Sequence, residues 1–209
     1  MKGLLLKDWY MMKRYCRYYL FATVVFIILS LMTDGNMFFV FYPCMLCGMI
    51  PVNLIGYDER SRWMEYSGTM PYTKAQIVSG KYVIGSLVQF TTMLAIVAAQ
   101  AVKMTAAGNF IPGKLAVLIL LLLIVSTLSS SICLPFIFKL GMEKGRTAYY
   151  VMIGFVCGAS ALVSGLFADQ PAAEIQPNIF LVLLAAVSIG VYALSWYISI
   201  VFFKKREIQ

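Results

Sequence analysis

Cys44-Met-Leu-Cys47 has the cysteine spacing of redox and zinc motifs. The chain holds five cysteines (Cys16, Cys44, Cys47, Cys133 and Cys157) and no histidine. Zinc needs about four ligands, and neither a second such pair nor an imidazole is there to complete them. The pair also sits in an apolar run, so it reads as buried structural thiols. Without histidine there is no Ser–His or Cys–His pair for nucleophilic catalysis. Gly108-Asn-Phe-Ile-Pro-Gly113-Lys114-Leu115 imitates a phosphate-binding loop up to its last position. That loop requires Ser or Thr after the lysine to hold magnesium, and a strand before it. Leu115 has no hydroxyl, and the segment reads as a turn. No catalytic, cofactor or metal site is expected in this chain, and it is not read as an enzyme.

The polar residues left inside apolar runs are hydroxyls and amides: Ser86, Gln89, Thr91, Thr92, Gln100 and Ser126-Thr127-Leu-Ser129-Ser130-Ser131. They either hydrogen-bond between helices or line a path for a substrate. Gln89, Thr92, Ser126 and Ser130 are the candidates for the second role. Ionisable groups stay near the ends of the runs, whereas an ion-coupled carrier places some at the membrane midplane.

The elements that must position these groups follow from composition. Of 209 residues, 61% are hydrophobic and 12% charged, with mean hydropathy +0.83. A soluble domain has about 45–50% apolar and about 25% charged residues. The chain is therefore expected to be an all-α integral membrane protein, a single transmembrane domain over residues 1–209. Six apolar segments, at 18–32, 37–55, 75–102, 115–138, 148–167 and 179–203, read as spans. A span takes about 20 residues, so the first is short. Gly154-x-x-x-Gly158 in the fifth permits close helix approach.

Residues 1–17 read as an amphipathic interfacial helix. At ~100° per residue, Lys2, Lys7, Lys13, Arg14 and Arg17 share an arc of roughly 140°. Leu4, Leu5, Met11, Met12, Tyr15 and Cys16 lie opposite, with Trp9 at the boundary. Such a helix rests on membrane lipid in the headgroup layer. No small-x-small pattern follows Met32, so the start does not read as a cleaved signal. Fifteen of the 17 Lys and Arg residues flank the segments on one side, leaving Lys103 and Lys114 on the other. This asymmetry places both termini in the cytoplasm of a multi-pass cell-membrane protein. It also assigns the net charge of +8 to the membrane surface and not to nucleic acid.

The largest connection on the basic side begins Tyr57-Asp-Glu-Arg-Ser-Arg-Trp-Met-Glu-Tyr66. Read as a helix over 58–67, it puts Asp58, Arg62 and Glu65 on one solvent face, with Asp58 and Arg62 spaced for an i,i+4 pair. Trp63 and Tyr66 project elsewhere, beside Glu59. Gly68-Thr-Met-Pro71 stops the helix, and Thr73-Lys-Ala-Gln76 has capping-box spacing for the next one. A short aromatic helix held between two breaks is a docking element.

At these residues the sequence resembles the ABC-2 type permeases, the membrane subunits of a class of ABC exporters. Met70-Pro71-Tyr72-Thr73-Lys74 is similar to their Leu-Pro-x-Ser/Thr-Arg/Lys turn, with Met for the usual Leu. Ile77-Val78-Ser79-Gly80-Lys81-Tyr82 is similar to their Ile-Val-x-x-Lys-Tyr segment. The start Leu6-Lys7-Asp8-Trp9 and the tail Phe203-Lys204-Lys205-Arg206-Glu207 also look like this family. The stretch 169–178 is shorter than the re-entrant segment of some members. The resemblance implies that two such subunits, two copies or a copy and a paralogue, form the pore. Cytoplasmic ABC ATPase subunits, which bind the ATP and Mg, would engage a coupling helix at 58–67. Glu59, Arg60, Trp63, Met64 and Tyr66 would be its docking residues, and Pro71, Thr73 and Lys74 the turn behind it. The small-permease branch includes exporters of amphipathic peptide toxins and antimicrobial peptides, which makes such a peptide the candidate substrate.

Three other readings compete. A stand-alone carrier or channel is opposed by the missing midplane charges. A membrane-embedded enzyme is opposed by the missing histidine and acidic pairs. A membrane partner protein without transport activity is the third. The orientation is open to direct test. A cysteine placed at Asn36 or Gln170 is expected to react with an impermeant maleimide on intact cells, and one at Ser61 or Lys144 is not; labelling of the second pair from outside would reverse the topology.

Overall fold

The computed structural model describes residues 2–33, 37–67, 69–108, 110–141 and 179–205, with the single positions 147, 151 and 154. The described residues form seven helices and no strand: α1 (Lys2–Tyr15), α2 (Arg17–Met32), α3 (Phe38–Arg60), α4 (Trp63–Ser67), α5 (Lys74–Ala106), α6 (Pro112–Leu140) and α7 (Ile179–Lys205). Four of them, α3, α5, α6 and α7, are long and apolar enough to cross a membrane; α2 joins them only when taken together with α1. Five of the six expected segments thus fall on helices. The sixth, at 148–167 with its Gly154-x-x-x-Gly158 motif, lies outside the described residues.

Between α1 and α2 the chain bends by 68° at Cys16. The bend lets α1 cross the end of the bundle with one stripe inward, Leu4, Asp8, Met12 and Cys16, all buried. These positions are four apart and so share a helix face. Tyr15, expected on the apolar side, is exposed and stacks on Tyr57 at 4.4 Å between ring centroids. The outward face carries Leu6, Trp9, Tyr10, Lys13 and Arg14.

α3 is the central helix. At one end of the bundle Val40 and Cys44 pack with Ile96 and Leu122. In the middle Cys47, Ile50 and Leu54 meet Met12, Cys16 and Ile84. At the other end Val52 and Ile55 join Leu4, Val78, Tyr82, Leu134, Phe138 and Phe203. At this last end α3, α6 and α7 finish and α5 begins. The capping box is present there: Thr73 Oγ1 accepts from Gln76 N at 3.3 Å, and Gln76 Oε1 accepts from Thr73 N at 3.2 Å.

Hydroxyls join the long helices. Tyr82 Oη lies 2.9 Å from Ser195 Oγ and 2.7 Å from Ser199 Oγ, tying α5 to α7. The Tyr82 ring stacks on Trp196 at 5.5 Å and 7°. Trp196 Nε1 donates to Ser79 Oγ at 3.1 Å, and Ser195 Oγ donates to Ser131 O at 2.6 Å.

α3 and α5 pack closely where Gly85 faces Pro51. A Cβ on Gly85 would stand 3.1 Å from Pro51 Cγ, an atom fixed in a ring, whereas one on Gly80 would meet nothing within 4 Å. Gly85→Ala is expected to destabilise the subunit by about 1–3 kcal/mol, seen as a lower melting temperature in detergent. Gly80→Ala should leave that temperature unchanged or raise it. Equal melting of the two variants would contradict the close contact.

Candidate functional site

Four charged side chains meet where α1, α3 and α5 converge. Lys81 Nζ lies 2.7 Å from Asp8 Oδ1 and 2.5 Å from Asp58 Oδ2; Lys7 Nζ lies 2.7 Å from Asp58 Oδ1 and 3.3 Å from Asp8 Oδ1. Each ammonium touches both carboxylates, so charge alternates around a closed ring of zero net charge. Asp58 and Lys81 are 1% exposed and Asp8 3%. Lys81 donates a hydrogen bond to Asp8 and Lys7 one to Asp58. Asp58 Oδ2 meets Lys81 as a charge contact without hydrogen-bond geometry. Charges taken this far from water persist only when paired, because removing one partner strands the other in a low-dielectric interior.

This geometry corrects two expectations. Asp58 is not a solvent-facing partner of Arg62; it is buried, accepts from Lys7 and is paired in charge with Lys81. Nor is 58–67 one helix: Asp58, Glu59 and Arg60 are the last turn of α3, and Arg62 adopts φ 52° before α4 begins. A local i,i+4 pair in water is worth only about 0.3–0.5 kcal/mol, too little to compete with a buried ring.

The other expected docking residues are divided by the same turn. Glu59 is half-buried and Arg60 exposed, both on α3; Met64 is in α4. Trp63 does not project outward. It packs against the core, with Lys7 Nζ 4.1 Å from its ring centroid, and its Nε1 is buried without a hydrogen-bond partner. Tyr66, 57% exposed, is the aromatic that α4 presents outward. In the turn behind it Pro71 and Thr73 are exposed, and Lys74 Nζ donates to Lys204 O at 3.4 Å, linking the turn to the end of α7.

The four path candidates are buried among the helices. Gln89 Nε2 donates to Ser126 O at 3.0 Å and Ser130 Oγ at 2.7 Å, joining α5 to α6. Thr92 Oγ1 donates to Val88 O at 2.9 Å and lies 3.1 Å from Cys47 Sγ. Cys44 and Cys47 are fully buried free thiols. Among the described residues no group of His, Cys, Asp or Glu is placed to hold a metal ion.

The three sequence segments that build the ring are the start of the chain, the Asp58–Trp63 cluster and the Lys81-Tyr82 pair. Residues 3–204 match the family described as ABC-2 family transporter protein, a span that takes in all three. The chain belongs to the ABC-2 transporter family. No curated protein and no solved structure gives a significant match. Membership makes the chain a multi-pass membrane permease subunit of an ABC transporter and implies association with ABC ATPase partners.

Sequence reasoning placed Lys7 on the interfacial arc and Asp8 and Lys81 in family-like segments, but assigned none of the three to a site. Asp8 had a signal: it interrupts the stripe Leu4, Met12, Cys16. Lys81 had another, since it shares a helix face with the apolar positions Val78, Ile84, Gly85 and Val88. If the four charges act as one unit, neutralising one should cost more than neutralising one of each sign. Lys81→Met is expected to destabilise by about 3–5 kcal/mol, and adding Asp8→Asn should recover much of that loss. A double variant whose melting reflects the sum of the two single losses would show that the groups are independent.

Proposed function

We propose that this ABC-2 permease subunit forms the membrane path of an ATP-driven exporter and receives its drive through α4. The observation that carries the reading is a five-residue helix that presents an exposed Tyr66 at the bundle end where α1, α3, α5, α6 and α7 meet. Such an element serves little purpose in a solvated loop, and it suits a groove on a cytoplasmic ATPase. The positive-inside asymmetry supports placing this end, with both termini, in the cytoplasm. Glu59, Arg60 and Met64 flank the contact, while Trp63 roots the helix to the bundle. ATP and Mg belong to the partner ATPases. A second copy or a paralogue completes the pore, and the substrate class that fits the branch resembled is an amphipathic or antimicrobial peptide. Gln89, Thr92, Ser126 and Ser130 would line the path only if α5 and α6 parted during transport.

Truncating a buried aromatic anchor often costs about 2 kcal/mol or more, roughly 30-fold in affinity. Tagged subunit purified in detergent is expected to retain an ATPase encoded in a neighbouring reading frame. Tyr66→Ala should lower that recovery by about this factor, while Phe90→Ala, on α5 away from this end, should not. A wild-type subunit that retains no ATPase, or a Tyr66→Ala chain that retains it fully, would remove α4 as the docking element.

A further inference from the structure

α4 cannot hold its own orientation. Five residues complete little more than a helical turn, which is far below the length at which a helix is stable alone. Arg62, at φ 52°, separates it from α3. What fixes α4 must therefore be tertiary contact: Ser67 is buried, and the ring and cation contacts of α4 converge on Trp63. That ring packs against the core, lies 5.6 Å from the Tyr66 ring, and carries the Lys7 ammonium over its face. Lys7 is at the same time a member of the charged ring, gripped by Asp58 at 2.7 Å and Asp8 at 3.3 Å. Lys7 thus belongs to both arrangements.

We propose that Lys7 is a positioning residue for α4: clamped between Asp8 and Asp58, it holds Trp63 by a cation–π contact and so sets the direction in which Tyr66 points. A lysine at the bundle surface is ordinarily a mobile, hydrated side chain. Here its side chain is 22% exposed and its ammonium has lost much of its water, the condition under which attraction to an indole face is strongest. The consequence for Tyr66 rests on the reading of α4 as the docking helix; the positioning of α4 does not.

The test separates the two. Spin labels carried on Tyr10→Cys in α1 and Tyr66→Cys in α4 report the placement of α4 in the subunit alone, in nanodiscs. A second pair on Phe21→Cys and Phe90→Cys, exposed positions of α2 and α5, reports the bundle. With Lys7 in place the first pair is expected to give one narrow distance distribution. Lys7→Met should broaden it at least twofold and leave the second pair unchanged. Lys7→Arg, which keeps the cation and its affinity for the indole, should restore the narrow distribution. If Lys7→Met does not fold, Trp63→Leu, which leaves the four charges intact, carries the same expectation. Recovery of ATPase is then measured on unlabelled chains, where Lys7→Met should lower it about tenfold and Lys7→Arg should not. A first-pair distribution that stays narrow in Lys7→Met, or in Trp63→Leu, overturns the proposal. Broadening of both label pairs together also overturns it, since that is general loosening. A broadened first pair with ATPase recovery unchanged upholds the positioning of α4 and overturns the docking reading instead.

Discussion

A neutral ring of two lysines and two aspartates, buried at Asp8, Asp58 and Lys81 and partly exposed at Lys7, is the constraint on which this subunit is organised. Each carboxylate alone would carry a large desolvation cost. Asp8 can face inward on α1 only because Lys81 meets it, and Asp58 can end α3 inside the protein only because two ammonium groups do. The ring therefore dictates where three helices cross and in what register. α1 has to lie across the bundle end, which requires the sharp bend at Cys16, and α3 has to continue past its apolar stretch to deliver Asp58.

From this junction the rest is held by weaker polar contacts that share a partner. α5 donates through Gln89 to α6, and its Tyr82, one residue beyond the ring, bonds the hydroxyls of α7. Near its other end Gln100 Nε2 donates to Ser30 Oγ of α2 at 2.6 Å. In lipid the apolar faces of helices gain little by leaving the surroundings for one another, so small polar groups and close packing carry the association. Gln89, Gln100, Tyr82 and Ser195 make such contacts within the subunit. The described thiols, Cys16, Cys44, Cys47 and Cys133, are likewise buried, so the Cys44–Cys47 pair exposes no sulfur for the chemistry its spacing suggests.

What the sequence made legible was whatever depends on neighbours along the chain. Apolar length located α2, α3, α5, α6 and α7, and the spacing from Thr73 to Gln76 located the start of α5. The absence of a second cysteine pair pointed correctly to buried thiols at Cys44 and Cys47. The failures share a physical cause. Asp58 and Arg62 satisfy a local helical template, yet the free energy lies in contacts of Asp58 with residues 51 and 23 positions away, which no local pattern contains. Trp63, expected on the docking face of a helix over 58–67, lies against the core. It is covered there by Lys7 from the start of the chain. The same blindness left Lys7 as an interfacial charge and gave Asp8 and Lys81 no partner.

Lys103 marks the opposite limit of α5, where its ammonium donates to Ser30 O at 3.1 Å and Thr33 O at 2.7 Å and so closes the exposed carbonyls at the end of α2. From Lys81 to Lys103 the helix rises ~33 Å, close to the ~30 Å hydrocarbon thickness of a bilayer. α5 thus works as a gauge rod: its two cations, each fastened to neighbouring helices, bracket one membrane thickness. A lipid sheet of another thickness would no longer match this spacing, and the helix would have to tilt or the sheet adjust around the two fastenings.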